Sequence, residues 1–462
     1  MLTYSLNNRG SQPLYEYLYR CIRRDILSGA LRADERLPSK RALAEHLQVS
    51  VITVETAYQQ LEAEGYLYAR PRRGFFVSRV ERTPEGTAPS AISPEPTEPD
   101  WVLDLRSNRV DASRFPASIW AKLTRQVLSE GSASLFTPVP HQGLPALRQA
   151  IADHLRNFKG LSVSPEQIVV GAGAEYLYLL LAQLLGKDAV FAVEDPGYQK
   201  IRQIYQKWGS TYAPIPLDQN GMSLQALEAS GATALHISPS HHYPTGIITS
   251  ISRRQALLRW ADRVGGTIIE DDYDSEFRFT VRPIPALQSI DHSGRVVYMN
   301  TFSQTISPSM RVGYMVLPPR LLERYRNELG FYACTVPALD QHVLARFLSG
   351  GHYEQHLSRM RKEYRLRRDA VLTAFRESPF AHQVTILEQG AGLHFLLRLH
   401  TQQDDDAIRQ KAEALGVRLG FLSEYSTENR PEYARTLVVN YAGLDASRLN
   451  EATSLLAQIL SE

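Results

Sequence analysis

The sequence is poor in cysteine, in net charge and in long apolar runs, and each shortage excludes a class of protein. Its two cysteines, Cys21 and Cys334, form no Cys-x-x-Cys pair, which excludes a disulfide-stapled scaffold and a cysteine-based metal site and fits a reducing compartment. Formal net charge is only +2, so binding to a polyanion would need a local basic surface rather than bulk charge. No apolar run is long enough to span a bilayer, and the opening residues lack the apolar core of a signal peptide, so a cytoplasmic location with no membrane partner is expected. No internal repeat is present. What is there, 43% hydrophobic and 22% charged residues, is the balance of a folded globular chain.

At 462 residues the chain exceeds one ordinary core, so two or three domains are expected. Prolines at 84, 89, 94, 96 and 99 among Ser, Thr, Glu and Gly give residues 78–103 the composition of a semi-extended linker. It separates a module of residues 1–77 from a larger one of residues 104–462. In the larger module short apolar runs alternate with amphipathic segments. Gln167–Val170, Ala189–Val193, Ala234–Ser238, Thr267–Glu270 and Val296–Met299 are such runs, and the spacing predicts an α/β fold with a mostly parallel sheet wrapped by helices.

In the small module, Leu14, Leu18, Cys21, Ile22 and Ile26 fall near helical spacing between Gln12 and Ser28, with Gly29 as a stop. Ser39 is placed to cap a short helix running to Leu47. Ser50 is placed to cap a longer one, in which Val54, Ala57, Tyr58 and Leu61 occupy i, i+3, i+4 and i+7 before Gly65. This is a helix-turn-helix. Two strand-like pieces follow between Tyr66 and Val77, and Arg70, Arg72, Arg73 and Gly74 form a basic hairpin tip able to reach a groove or its phosphates. Read singly, the serines are only helix caps and the arginines only solvated surface.

The run Leu37-Pro38-Ser39-Lys40-Arg41, continued by Leu43-Ala44, Val49-Ser50, Thr53-Val54, Ala57-Tyr58, Leu61, Gly65-Tyr66-Leu67 and Gly74-Phe75-Phe76-Val77, resembles the GntR-type winged helix. The resemblance implies that Ser39, Arg41, Ser50 and Thr53 face a double-stranded DNA operator, with the arginines and Gly74 of the wing beside them. Val51 stands where that family often carries arginine, which points base reading toward neighbouring residues or a thymine methyl.

From about residue 104 onward, six stretches occur in order: Gly171–Glu175, Glu194–Tyr198, Ser238–Gly246, Ile269–Phe277, Thr301–Thr305 with Arg311–Tyr314, and Gly351–Arg361. Together they resemble the class I aminotransferase domain of MocR-type regulators. That resemblance implies a pyridoxal-phosphate-dependent fold of type I with a smaller α+β C-terminal subdomain, a homodimer, and a small-molecule effector. It places Asp271 at the ring nitrogen of pyridoxal 5'-phosphate, where a buried carboxylate keeps the ring protonated. Tyr273 would bond to the phenolic oxygen and Tyr198 would stack on the ring. Arg311, Thr301, Ser303 and the backbone of Gly173 and Ala174 at a helix start would hold the phosphate. Singly, Asp271 and Asp272 could cap a strand end, Gly171 to Gly173 could mark a turn, and Tyr198 could be a buried aromatic.

Two departures bear on mechanism. The family's Ser-Lys-Thr, whose lysine forms the Schiff base with the cofactor, reads Ser303-Gln304-Thr305 here, and an amide nitrogen is not nucleophilic. The flanking lysines, Lys207 and Lys362, are distant in the chain, so none is expected to substitute. The substrate-clamping arginine of the C-terminal strand is missing from Val438–Ala442, with Arg435 the nearest alternative. The chain is therefore expected to be a DNA-binding regulator that senses pyridoxal phosphate or a related molecule non-covalently, and not an enzyme. The alternatives are a designed Lys→Gln change in a pyridoxal-phosphate-bound regulator, an aminotransferase with an appended DNA-binding domain, and a ligand-free dimerisation scaffold. For metals, His352 and His356 at i, i+4 and the adjacent His241 and His242 lack a third donor at zinc spacing, so no metal is expected.

Overall fold

The computed structural model describes residues 2–5, 11–80, 99–108, 110–131, 133–279, 285–387 and 390–461. The chain forms two units, Met1–Glu98 and Pro99–Glu462. Of the proline-rich stretch expected as a linker, residues 81–98 lie outside the described residues.

The first unit contains α1 (Leu14–Ser28), α2 (Lys40–Leu47), α3 (Val51–Ala63) and a hairpin of β1 (Leu67–Arg70) and β2 (Gly74–Val77). Helix α1 starts after Pro13, which has no amide hydrogen and stands in extended geometry at the cap position. Ser39 caps α2 by accepting from the Ala42 amide at 3.2 Å, and Ser50 caps α3 by accepting from the Thr53 amide at 3.1 Å. The apolar faces meet in one core: Leu18, Ile22 and Ile26 of α1, Leu43 of α2, Tyr58 and Leu61 of α3, and Leu67 and Val77 of the hairpin. The helix-turn-helix and wing expected from periodicity are therefore present, with α1 two residues shorter at its start than Gln12 suggested.

The second unit runs in order through β3 (Leu103–Asp104), α4 (Ala117–Ser129), α5 (Pro145–His154), β4 (Ile168–Gly171), α6 (Ala174–Leu185), β5 (Val190–Asp195), α7 (Gln199–Trp208), β6 (Thr211–Asp218), β7 (Gly221–Met222), α8 (Leu224–Ala229), β8 (Ala234–Ile237), α9 (Ile251–Val264), β9 (Thr267–Asp271), β10 (Val296–Thr301) and β11 (Gly313–Val316). It continues through α10 (Pro319–Glu328), α11 (Ala338–Ser349), α12 (His352–Arg376), β12 (Val384–Leu387), β13 (His394–Leu399), α13 (Asp405–Ala414), β14 (Val417–Arg418), β15 (Thr436–Asn440) and α14 (Leu449–Leu460).

Strands β4 to β11 form one sheet in the order β4-β11-β10-β9-β8-β5-β6-β7. Neighbours from β10 to β6 are parallel; β11 runs against both of its neighbours and β7 against β6. Every residue of β4, β8, β9 and β10 is buried. That explains why these strands read as unbroken apolar runs: helices cover both faces. The smaller subdomain packs α12, α13 and α14 on the antiparallel sheet β12-β13-β15 around Phe375, Phe395, Leu397, Leu437 and Ile459. Strand β3 pairs with β14, so the chain enters the unit through this subdomain. Among the described residues no helix is long and apolar enough to cross a membrane.

Behind the carboxyl end of β9 lies a buried charge cluster. Lys159 Nζ is 3.0 Å from Asp272 and 2.9 Å from Glu276, and the Tyr298 hydroxyl donates to Asp272 at 2.6 Å while Asn300 donates to Glu276 at 3.1 Å. The two carboxylates raise the Lys159 ammonium above its ordinary range against the opposing effect of burial. Removing one partner of such a set strands the other charges. Lys159→Met should cost about 3–5 kcal/mol, read as a lower denaturation midpoint of the large unit, whereas adding Asp272→Asn and Glu276→Gln to it should restore part of the loss.

Candidate functional site

All the parallel strands of the large sheet end at one edge, and side chains just past those ends surround a cavity of about 390 Å³. Open α/β sheets bind ligands at this edge, where loops leave the strands in different directions. The cavity has a carboxylate floor, an aromatic middle and a cationic end.

The floor is Asp271, the last residue of β9 and buried. Tyr178 of α6 donates its hydroxyl to Asp271 Oδ2, and among the described residues no protein group bonds to Oδ1. Burial, with Asp271 beside it, pushes the Tyr178 hydroxyl well above its ordinary range, so it stays a donor. His236 Nε2 is 3.6 Å from Asp271 Oδ2, and His236 Nδ1 is held by the Tyr205 hydroxyl at 2.6 Å. Next to this floor Glu194 accepts from the Ser238 amide at 2.9 Å and lies 3.4 Å from His242 Nε2. Burial pushes Glu194 up to about 8 and His242 down to about 3, so both are neutral over the mildly acidic range.

In the middle, the rings of Tyr198 and Tyr273 each stand edge-on to Tyr243, at centroid distances of 6.2 and 6.1 Å. The Tyr273 hydroxyl and Gln304 Oε1 are buried without hydrogen-bond partners. Burial keeps the Tyr273 hydroxyl protonated. Unpaired polar atoms on a cavity wall are costly unless a ligand completes them.

At the cationic end Gly173, whose φ is +86°, stands at the cap position just before α6. A side chain there would be strained, and its Cβ would lie 3.0 Å from Arg311 Nη2; glycine lets the guanidinium lie against the helix start. Thr301 ends β10, and Ser303 and Gln304 follow in the next turn. Glu175, in the first turn of α6, accepts from Arg311 at 3.0 Å and from Lys200 at 2.6 Å, and Lys200 first, then Arg311, holds its carboxyl below the usual range.

Of the expected cofactor residues, Ala174, Tyr198, Asp271, Tyr273, Thr301, Ser303, Gln304 and Arg311 all line the cavity, and Gly173 stands behind Arg311. Three expectations need correction or detail. Lys200 lines the cavity, although chain distance put no lysine near Gln304; it stands in the first turn of α7, which begins after Tyr198. Arg435 does not enter the cavity. Its side chain donates to the Thr401 carbonyl at 2.8 Å, and Val438 is buried among Leu396, Leu422 and Tyr425. Finally, of the four histidines weighed for a metal only His241 gains such neighbours among the described residues: His241, Asp274 and His394 place buried ligand-type atoms within 4.8 Å of one another, which no linear spacing revealed because they sit on three separate segments. His241 Nδ1 bonds to Asp274 and His394 Nε2 to the Pro244 carbonyl, each at 3.0 Å, while His356 is engaged with the Thr305 carbonyl at 2.8 Å.

Sequence reasoning missed Tyr178, His236, Glu194 and Lys200 as wall residues. Glu194 and Lys200 flank Tyr198 in the chain, a signal that was available; Tyr178 and His236 looked like ordinary members of apolar segments.

In the small unit Ser39, Arg41, Ser50, Arg70, Arg72, Arg73 and Gly74 are exposed and Thr53 is half-buried. Ser50 and Thr53 also bond through their hydroxyls at 2.8 Å, so the polar groups opening α3 are partly used by each other. Arg70 lies over the Phe76 ring at 4.9 Å, while among the described residues Arg72 and Arg73 have no ion-pair partner. Arg36, missed in the sequence, reaches the wing through a bridge to Phe76 and lies beside Gly74.

Comparison with known proteins gives the same division. Residues 14–77 match the family described as bacterial regulatory proteins, gntR family, and residues 101–455 match aminotransferase class I and II. The chain is 32% identical to the probable rhizopine catabolism regulatory protein MocR of Rhizobium meliloti, covering 98% of this chain and 94% of that one. It is 35% identical to the HTH-type pyridoxine biosynthesis transcriptional regulator PdxR of Corynebacterium glutamicum, covering 92% and 91%. A crystal structure of Pyrococcus horikoshii kynurenine aminotransferase superposes with a TM-score of 0.69 at 24% identity, over 79% of this chain and 91% of that one, which establishes a shared fold.

Two outcomes follow. Glu194 is neutral in the fold up to about pH 8 but ionises in the unfolded chain above its ordinary value, so the unfolded state binds fewer protons between those limits and stability falls as pH rises. Burial of His242 works in the opposite direction as pH rises through the ordinary histidine range, so the Glu194 contribution is read as a difference: wild type should lose stability relative to Glu194→Gln as pH rises from 5 to 8, measured as the gap between their denaturation midpoints. Arg72→Ala and Arg73→Ala should weaken DNA binding across sequences and each reduce the salt slope by about 1, measured by fluorescence anisotropy at several salt concentrations.

Proposed function

Because this chain belongs to the GntR family of bacterial regulatory proteins, in the MocR-type branch whose winged helix is fused to an aminotransferase class I and II domain, we propose that it is a transcription regulator whose large unit senses pyridoxal 5'-phosphate or a related phosphorylated molecule without covalent attachment. The winged helix of residues 1–77 reads the operator, residues 78–103 tether it, and residues 104–462 sense and dimerise. It works in the cytoplasm, with its DNA.

The observation that carries this reading is Gln304, an amide facing a cavity otherwise furnished for the cofactor. The furnishings fit the group: Asp271 for the ring nitrogen, the unpaired Tyr273 hydroxyl for the phenolic oxygen, Tyr198 for the ring face, and Arg311, Thr301, Ser303 and the α6 amides from Gly173 onward for the phosphate. When bound, pyridoxal phosphate supplies an electron-withdrawing ring able to stabilise a carbanion. Transamination also needs an amine nucleophile and proton carrier at position 304, and an amide offers neither. The cavity therefore recognises without converting. The pyridoxine link in the name of the Corynebacterium relative agrees with a vitamin B6 phosphate as effector.

Regulation requires that the ligand favour one arrangement of a dimer's two winged helices over another, since equal affinity for both shifts nothing. Paired half-sites on the operator match such a dimer.

Calorimetry should show pyridoxal phosphate binding to the full chain, with the ligand lost on dialysis and no lasting visible absorbance. Gln304→Lys should turn yellow and keep its colour through dialysis. A wild-type chain that holds the colour, or that exchanges amino groups between amino and keto acids, would overturn the reading. A gel shift on DNA upstream of the protein's own gene should change when pyridoxal phosphate is added.

A further inference from the structure

Two features of the cationic end are unexplained by the reading above: a second cation, Lys200, and a carboxylate, Glu175, placed where a phosphate is expected. The carboxylate is shared by both cations. Its Oε1 takes Lys200 at 2.6 Å and its Oε2 takes Arg311 at 3.0 Å, and it belongs to the first turn of α6, where the helix start favours negative charge. In form this is an anion held by an arginine, a lysine and a helix start, with the anion supplied by the protein itself.

We infer that Lys200 and Arg311 form a two-cation cradle for the phosphate of the ligand, and that Glu175 is an internal latch which occupies the cradle until that phosphate displaces it. The inference rests on the sensing role proposed above. Charge bookkeeping favours displacement over sharing. Two cations and one carboxylate leave a surplus positive charge, two cations and a phosphate dianion balance, and keeping the carboxylate beside the dianion leaves an uncompensated negative charge at close range. Displacement is also easy. The side chains of Glu175, Arg311 and Lys200 are 39%, 51% and 55% exposed, and ion pairs so exposed are weak; the Glu175 carboxylate turns into water without being stranded.

The position of Lys200 gives the exchange a consequence. It lies in the first turn of α7, two residues after the ring-facing Tyr198, and the same turn is tied to the C-terminal subdomain. The Gln199 side chain donates to the Glu424 carbonyl, Arg202 donates to the Tyr425 carbonyl at 3.4 Å, and the Gly197 amide donates to that carbonyl at 3.0 Å. When Lys200 changes partner from Glu175 to phosphate, the turn that carries these ties responds directly. A ligand without a phosphate would fill the aromatic middle and leave the latch shut.

The test uses the full chain with pyridoxal phosphate, pyridoxal and inorganic phosphate as probes. Glu175→Gln should tighten pyridoxal phosphate binding about fivefold or more and increase the thermal stabilisation given by inorganic phosphate. Lys200→Met should weaken pyridoxal phosphate binding by a similar factor and leave pyridoxal binding unchanged. Melting of each unliganded variant checks that the fold is intact. Equal pyridoxal phosphate affinity in wild type and Glu175→Gln would overturn the latch while leaving the sensing role in place. If pyridoxal phosphate binds neither protein but inorganic phosphate still stabilises Glu175→Gln more than wild type, the sensing role falls and the latch stands. If no probe distinguishes the two proteins, or if borohydride reduction with pyridoxal phosphate labels Lys200, the cradle is overturned, because in the latter case the aldehyde rather than the phosphate lies at that amine.

Discussion

Two consecutive carboxylates at the end of a fully buried strand impose the constraint on which the large unit is built. Successive side chains of a strand point to opposite faces, so Asp271 and Asp272 cannot share a partner. Asp271 meets Tyr178 and His236 on the cavity side, and Asp272 meets Lys159 and Tyr298 on the other. Neither charge could be buried alone without a large desolvation cost. Both sets of partners, from α6 and β8 on one side and from β10 and the segment after α5 on the other, gather at the end of β9, and α6, β8 and β10 also contribute to the wall of the cavity.

The cavity is polarised as a consequence. Asp271 lies at one end and Arg311 and Lys200, bridged by Glu175, at the other, with tyrosine rings between them. Gln304 is the exception within it. Its length allows it to stand on the wall, but it brings a weakly basic amide where covalent chemistry would need an amine. The position that the aminotransferase resemblance gives to the Schiff-base lysine is therefore an amide, while Asp271, Tyr198, Tyr273 and Arg311 stand around it on the same cavity wall. Neutral Glu194 and His242 add hydrogen-bonding capacity to the wall at mildly acidic pH without adding charge.

The small unit divides its labour similarly. Ser39 and Ser50 serve the helices first, as caps, and only what remains of their hydrogen-bonding capacity is free for DNA. Arg72 and Arg73 at the wing tip, and Arg36 beside it, carry charge outward where phosphates can reach it. Local concentration of arginine, rather than the chain's near-zero net charge, makes a polyanion a suitable partner.

Much of this was legible in order along the chain. Helical spacing from Leu18 to Leu61 outlined the winged helix, the buried strands announced themselves as apolar runs, and the residues from Gly173 to Arg311 that converge on one cavity could be listed beforehand, because strand ends and helix starts leave local signals. Tyr178, His236 and Lys200 could not be found that way, nor could the grouping of His241, Asp274 and His394, since each depends on which segments the sheet order brings together. The amino-acid sequence by itself determined the architecture and the loss of an amine at position 304, for those are properties of periodicity and of one side chain's chemistry. Only the tertiary structure decided what surrounds that position, including a lysine and a glutamate at the cationic end, because distance in space between charges is set by the folded sheet and not by distance along the chain.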